Sequence, residues 1–493
     1  MHRYIYPFLF GLFIHPITVA QSPLKKATYS LEAGTFLSTA PSTPFWLRSN
    51  QYGEVPLASN YFTLRGQIEQ EYDSIALASK KKLTYGYGLR AVANLSTTNQ
   101  FLLPEWYGKV RYGAFELYAG RRREIMGLVD STLSAGSFIW SGNALPLPKL
   151  QISIPDYTYP FKNGLIALKG NFAHGWFGSG DSVKNYYLHQ KSLYFRLGKP
   201  QWRFKFHGGI NHQVQWGGRP TVPFYDAITK TTVSKFANSL EAYFNIVAGL
   251  PVSYEDRRFV TGGQVYGEGN RIGNNLGSVD IALEYEGTGG HWLVYRQSVY
   301  EDGSLYYLSN ISDGLSGISW QNKKGRQGIR KIVVEYLQTS NQGGPYSARI
   351  GLNYLRGQDN YFNNGVYEDG WVYRRQTMGT PFVMPLRYST GLPLNEEPLQ
   401  SLNPYYIFNN RVQAFTVSVQ SQIQRVSLTT RVSNSRNFGN YRVDYPLSVK
   451  QLSLQQQVVF PIRQYTVLTT FAYDNAGLLE KNLGVSLLVK RTF

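Results

Sequence analysis

The C-terminal segment Leu483-Gly484-Val485-Ser486-Leu487-Leu488-Val489-Lys490-Arg491-Thr492-Phe493 constrains the fold more than any other stretch. An apolar side chain recurs at every second position, so Leu483, Val485, Leu487, Val489 and Phe493 share one face of an extended strand. Such a face, backed by mostly small or polar residues, suits the lipid-facing wall of a membrane β-barrel. A terminal aromatic resembles the signal by which the barrel-assembly machinery recognises its substrates, and it predicts that Phe493 ends at the periplasmic rim. Arg491 breaks the apolar face and is expected in the headgroup layer.

Alternation by itself also fits the inner face of a soluble sandwich. The N-terminus argues for export: Met1-His2-Arg3 forms a positive head, Tyr4 to Ile14 is largely apolar, and Thr18-Val19-Ala20 reads as a small-residue cleavage site. Residues 1–20 are therefore expected to be a signal peptide, leaving a mature barrel of residues 21–493. A helical anchor is disfavoured because the apolar run is short and ends in His15-Pro16. No run of about 18 apolar residues exists elsewhere, which excludes a helical membrane protein.

The chain contains no cysteine, so thiolate metal sites, Cys nucleophiles and disulfides are all excluded. Its 38 tyrosines suit aromatic girdles, where the ring lies in lipid and the hydroxyl in water. A formal charge of +19 fits an anionic partner such as acidic glycan or lipopolysaccharide, and equally a wet lumen lined by Arg and Lys. Export and the lack of any recognised module argue against nucleic acid.

The alternation recurs in Trp202, Phe204 and Phe206, in Phe415, Val417 and Val419, and from Tyr465 to Tyr473. Tight turns are expected at Gly113-Ala114, Gly198 to Gln201, Gly287 to Gly290 and Pro461 to Gln464. The pattern predicts an all-β, transmembrane antiparallel barrel of about 18 strands in an outer membrane. One segment has helical period: Ile228, Val233, Phe236, Leu240, Tyr243, Phe244 and Val247 recur at threes and fours. The strand count puts this insertion, residues 217–250, on the periplasmic side as a small helical plug, and puts the Gly198 turn on the outer side. Residues 122–163, rich in Gly, Pro and Ser, suggest a second inserted segment.

No catalytic constellation is legible. His207 and His212 lack a third ligand, no G-x-S-x-G occurs, and Gly86-Tyr87-Gly88 lies inside an alternating strand with no following helix. Neither a cofactor nor a metal is expected. A lipid-modifying enzyme remains open, since its Ser and His could come from different strands. The loops are richer. Arg296, Asp302, Asp313, Asp359, Asn360, Tyr361, Asn364, Asp369, Trp371 and Arg374 bring together the planar polar and aromatic side chains that sugars require. Asp-Gly and Asn-Asn are also plain turn chemistry, and inward Arg–Asp pairs brace barrel lumens. The run Lys323, Lys324, Arg326, Arg330 and Lys331 suits a rim facing lipopolysaccharide or solvent.

Several segments in order resemble the Wzi capsule-assembly family of outer-membrane proteins. They are Pro44-Phe45-Trp46-Leu47-Arg48-Ser49-Asn50-Gln51-Tyr52-Gly53, Leu188-His189-Gln190-Lys191-Ser192-Leu193-Tyr194, Tyr295-Arg296-Gln297 with Glu301-Asp302-Gly303, Asp313-Gly314-Leu315, Glu335-Tyr336-Leu337, Asp359 to Asn364 and Gly379-Thr380-Pro381-Phe382. His189-Gln190-Lys191 departs from the His-Glu-Lys expected of that family. The resemblance implies an 18-stranded barrel closed by a periplasmic helical bundle. It also implies a non-enzymatic, lectin-like role in holding capsular polysaccharide or exopolysaccharide at the surface of a Gram-negative cell. A porin or transport channel is the alternative that the residues themselves leave open.

Overall fold

The structure is a computed structural model that describes residues 27–74, 83–226, 230–252, 271–301, 303–346, 348–350, 353–392, 407–441 and 444–493. The expected signal peptide lies outside the described residues. Eighteen antiparallel strands close into a barrel. In chain order they are β1 Thr28–Ser38, β2 Tyr61–Gln70, β3 Thr84–Leu95, β4 Gln100–Tyr112, β5 Phe115–Arg121, β6 Lys149–Thr158, β7 Ile166–Ser179, β8 Val183–Leu197 and β9 Phe204–Trp216. The second half comprises β10 Asn274–Glu286, β11 Gly290–Tyr300, β12 Gly314–Asn322, β13 Gly328–Gln338, β14 Val412–Ile423, β15 Val426–Gly439, β16 Asp444–Ile462, β17 Tyr465–Asp474 and β18 Asn482–Thr492. Each strand pairs with its sequence neighbours, and β1 also pairs with β18, which closes the sheet and removes its edges.

The two rims differ. On the rim of the chain termini the connections, apart from 71–83, are short, for example 113–114, 198–203, 287–289, 424–425 and 463–464. The longest connections, 39–60, 122–148, 217–273 and 339–411, leave from the opposite rim. Short periplasmic turns and long outer loops are the asymmetry of outer-membrane barrels, so Phe493 marks the periplasmic rim as expected.

Period-two patterning sorts the side chains as the membrane requires. Leu483 and Leu487 point outward at 54% and 45% exposure, whereas Ser486 between them is buried in the lumen. Inward positions are polar along most of the wall, as with Thr416 and Ser418 of β14 and Gln451, Ser453 and Gln455 of β16. Leu488 is an inward exception, packed on Phe36, Leu47 and Tyr61.

The helical insertion is placed and built differently from the expectation. Residues 224–226 and 231–233 form a two-stranded hairpin, and Ile228 lies outside the described residues. With the four-residue Phe45–Arg48 as α1, the helix of the insertion is only α2, Leu240–Ala248, capped by Ser239, whose hydroxyl accepts from the Ala242 N–H at 3.1 Å. The insertion leaves β9 at the outer rim, and the Gly198 turn lies on the periplasmic one. A slip of one strand in counting back from Phe493 accounts for both displacements, because it inverts every upstream side. The lumen is filled from elsewhere: residues 39–60, 122–148 and 357–392 fold inward around Trp46, Phe138, Trp371 and Phe382.

Candidate functional site in the lumen

Beyond Arg121 the chain turns into the barrel instead of rising above it. Two arginines fasten its start to the near wall. Arg122 meets Glu116 of β5 at 2.7 Å and Glu124 at 2.9 Å, and Arg123 meets Glu105 of β4 at 3.4 Å and Glu54 of the 39–60 segment. The segment then crosses to the far wall. Leu128 N–H donates to Asp280 of β10 at 2.9 Å, and Phe138 N–H to Gln297 of β11 at 2.9 Å. Glu335 of β13 accepts from Ala135 N–H at 2.6 Å and from the Ser134 hydroxyl at 2.7 Å. Asp130 accepts from the Ser319 hydroxyl at 2.7 Å and the Lys331 ammonium at 2.9 Å. Gly127 permits this approach: it has φ 109°, and a Cβ there would collide with the Gln297 amide.

Electrostatics hold the crossing segment at both ends. Burial would push the Glu124 carboxyl up, but Lys149 at 2.6 Å and Arg122 outweigh it and hold the group at about 2. Burial acts likewise on Asp130, where the Leu133 N–H, Lys331 and Ser319 bring it down to about 2. Further ion pairs line the near wall toward the periplasm: Glu32–Arg65 at 2.9 Å, Lys109–Glu71 at 2.6 Å and Arg111–Asp156 at 2.8 Å. Three cations of the periplasmic half stand on aromatic faces instead, and none forms an ion pair among the described residues. Lys169 lies 5.0 Å from the Tyr157 ring, Arg196 4.7 Å from it, and Arg431 4.5 Å from Trp46.

Two cavities flank the packed layer. The inner one, about 330 Å³, opens beneath residues 49–52 and 130–137 and is lined by Gln420, Thr429, Arg431, Gln455 and Gln457. The outer one, about 190 Å³, lies among Asp181, Tyr186, Asp369, Tyr373, Arg374 and Arg375. Arg374 and Arg375 form the tip of a two-residue hairpin and both have positive φ, 49° and 71°. Asn-Gly is the usual occupant of such a turn. Non-glycine residues there cost about 1 kcal/mol or more each, so the chain tolerates strain to present two guanidinium groups at the outer cavity.

The residues expected to grip sugar mostly hold the protein together. Asp313 and Tyr361 are fully buried and joined at 3.0 Å, and Asp313 also accepts from Asn341 and Gln342 N–H. Burial raises the Asp313 carboxyl above the usual range, against those bonds. Asp359 accepts from Ser304 at 2.5 Å and Asn310 at 3.1 Å; Asn360 accepts from Asn363 and Asn410; Asn364 caps a turn at Val366 and Tyr367. Trp371 is buried with its indole N–H on Ile139 O at 2.7 Å, and Asp369 accepts from Asp181 and Ser182 N–H. Arg296 faces outward and clamps the carbonyls of Ile311, Ser312 and Asp313. Asp302 lies outside the described residues, and of the other nine Arg374 alone is exposed at a cavity. Sequence reasoning missed Glu54, Glu124, Asp130 and Glu335. A signal existed for Glu335, a charge set between apolar residues of an alternating strand. Glu284, Glu286 and His291 approach within 4.8 Å of one another, and Lys205, His207 and Lys323 already meet those carboxylates.

No family model matches the sequence, and no curated protein matches it. Among solved structures it is similar to outer-membrane porins and channels. The Pseudomonas aeruginosa protein OccD3 (OpdP) is 10% identical, with a TM-score of 0.38 over 95% of this chain and 91% of that one. OpdQ of the same organism is 9% identical, with a TM-score of 0.42 over 95% and 98%. The outer membrane channel DcaP of Acinetobacter baumannii is 7% identical, with a TM-score of 0.37 over 95% and 96%. Likeness at this level carries no residue role across. The expected membership of the Wzi capsule-assembly family is overturned, since its similar structures are channels and no family model supports it. The lectin-like, capsule-holding role falls with it. The motifs that carried the resemblance are largely contacts of the inward packing: Trp46 donates to Ser433 of β15, and Gln297 and Glu335 anchor the crossing segment.

Proposed function

We propose that this protein is a gated outer-membrane channel for small anionic solutes. The observation that carries the reading is the pair of polar cavities separated by one packed layer inside a polar-walled barrel. A layer fastened by side-chain hydrogen bonds and ion pairs, while the barrel keeps its own backbone ladder, is able to shift without unfolding the wall. Anion preference follows from cations held on aromatic rings, Lys169, Arg196 and Arg431, whose charge no carboxylate among the described residues neutralises at contact distance. Arg374 and Arg375 would attract the same solutes at the outer mouth. No bond-making step belongs to this reading.

Export would begin with removal of residues 1–20. The C-terminal strand would be read by the barrel-assembly machinery, and lipopolysaccharide and other outer-membrane lipid would surround the wall. Reconstitution into planar bilayers tests the function. Discrete openings should appear, with a reversal potential in a KCl gradient that indicates chloride preference. Silence of the wild type together with silence of a variant lacking the far-wall anchor would reject the channel, and cation preference would reject the solute class. The double substitution Arg374→Asn/Arg375→Gly relieves turn strain and should stabilise the hairpin by roughly 1–2 kcal/mol. It should also reduce chloride preference, read as a smaller reversal potential, because steering charge leaves the mouth.

A further inference from the structure

The insertion leaves the outer end of β9 and first stays at the mouth, where 219–220 pair with β8 and Phe236 packs on Tyr367; only then does α2 fold back over the outside of the barrel. α2 lays its buried Ala242 and Ile246 against Val214 and Trp216 of β9, with Val252 and Ile272 completing the cluster. Even-numbered residues of β9 point outward: Phe204, Phe206 and Ile210 are 57%, 40% and 49% exposed. Val214 and Trp216 therefore belong to the same outer face, and the insertion covers them. Tyr243 of α2 stacks on Trp216 at 5.2 Å and meets His174 and His189 edge-on at 5.8 and 5.7 Å. The Lys191 ammonium donates to the carbonyl of Val247.

The wall itself explains why a cover is needed. The exposed outward apolar residues end at Leu193 on β8, at Ile210 on β9 and at Val279 on β10; above Ile210 only Val214 and Trp216 follow on β9, and α2 covers them. Six residue steps, as from Phe204 to Ile210, reach about 20 Å along a strand, or about 15 Å of height at a tilt of about 40°. A lipid-facing band is about 25 Å tall. Above the short band stand Lys191, His189, His212 and Asn275, polar groups that acyl chains cannot solvate; His212 and Asn275 bond each other at 3.0 Å. Leu240 and Phe244, one helical turn apart on the side of α2 away from the barrel, are 72% and 63% exposed, and Leu250 just beyond is 49% exposed.

We propose that α2 is an interfacial helix of the outer leaflet. Leu240, Phe244 and Leu250 lie among lipid acyl chains and complete the apolar girdle that β8, β9 and β10 leave unfinished. Lipid is the occupant because this face continues the barrel's own lipid-facing surface. Lys230 and Lys235, exposed in the same segment, suit phosphate-bearing headgroups. The insertion thus masks a polar gap in the membrane wall, a role separate from the channel and independent of whether it conducts.

A cysteine-free chain makes the test direct. Single variants Phe244→Cys and Leu250→Cys carry a nitroxide in phosphatidylcholine–phosphatidylglycerol liposomes, with Leu193→Cys as lipid control and Lys235→Cys as water control. Collisions with oxygen should exceed those with a water-soluble nickel chelate at both positions, as at residue 193, with the reverse at residue 235. Greater access to nickel than to oxygen would place the helix in water and overturn the proposal. Low access to both would overturn it in favour of a protein partner or a second copy. Heat-modifiable migration of each variant controls for an intact barrel.

Discussion

Replacing Glu335 by alanine should open the barrel. Its carboxylate, 2% exposed on the inner face of β13, accepts from Ala135 N–H, the Ser134 hydroxyl and the Tyr295 hydroxyl at 2.6, 2.7 and 2.6 Å. Two of these three bonds tie the crossing segment to the far wall. A hydrogen bond to a charged group contributes about 1.5–3 kcal/mol net, so the closed position loses about 3 kcal/mol or somewhat more. At 1.4 kcal/mol per decade, the open population should rise on the order of 100-fold. The Asp280, Gln297 and Asp130 anchors remain, which limits the movement to the tip around residues 134–136. Glu335→Gln keeps one acceptor and should fall between. Single-channel recording measures the effect as open probability, and the backbone ladder of β13 is untouched, so the barrel should stay heat-modifiable. Unchanged open probability in an intact Glu335→Ala barrel would mean that the crossing segment is not the gate.

Which features were legible in the sequence follows from how far apart their causes lie. Lipid demands apolar side chains at every second position, and that demand acts on each strand alone. The alternation in β9, β14, β17 and β18, and the turns at 113–114, 198–203 and 463–464, could therefore be read locally. The filling of the lumen depends on pairs distant in sequence. Leu128 reaches Asp280, and the Trp371 indole reaches Ile139 O, 152 and 232 residues away. The sugar-site reading of Asp313, Asp359, Asn360 and Tyr361 shows the ambiguity. Planar polar groups beside aromatic rings line a glycan cleft, and they equally knit a buried polar interior, as in the Asn310–Tyr361–Asp313 chain of hydrogen bonds. α2 had the right period but the wrong extent, because the hairpin at 224–233 carries apolar residues at compatible spacing. Its position on the outer wall was not visible at all, since covered and lipid-exposed apolar residues read alike.

The second large effect is expected at Glu54, where three segments meet on one carboxylate. Arg90 of β3 grips it with two bonds, at 2.8 and 2.9 Å, Arg123 of the crossing segment meets the same group, and Arg65 of β2 lies 3.9 Å away. Glu54→Ala leaves these guanidinium groups facing one another. Arg65 keeps Glu32 and Arg123 keeps Glu105, but Arg90 retains only the Gln67 carbonyl at 3.2 Å. Breaking a buried ion pair on one side costs about 3–5 kcal/mol, because a desolvated charge remains. That loss should appear as earlier thermal release of the lumenal segments, followed by limited proteolysis or near-UV circular dichroism, while the barrel persists. A small anion should fill the vacated position: at 100 times its dissociation constant, phosphate would restore about 2.7 kcal/mol in the variant. The wild type, with Glu54 in place, should gain nothing comparable. The decisive comparison is Glu54→Ala/Arg90→Ala, which removes the stranded charge along with its partner and should be milder than Glu54→Ala alone. If the double variant is as damaged as the single one, Glu54 acts through packing, and the cationic cluster is not what the carboxylate holds in check.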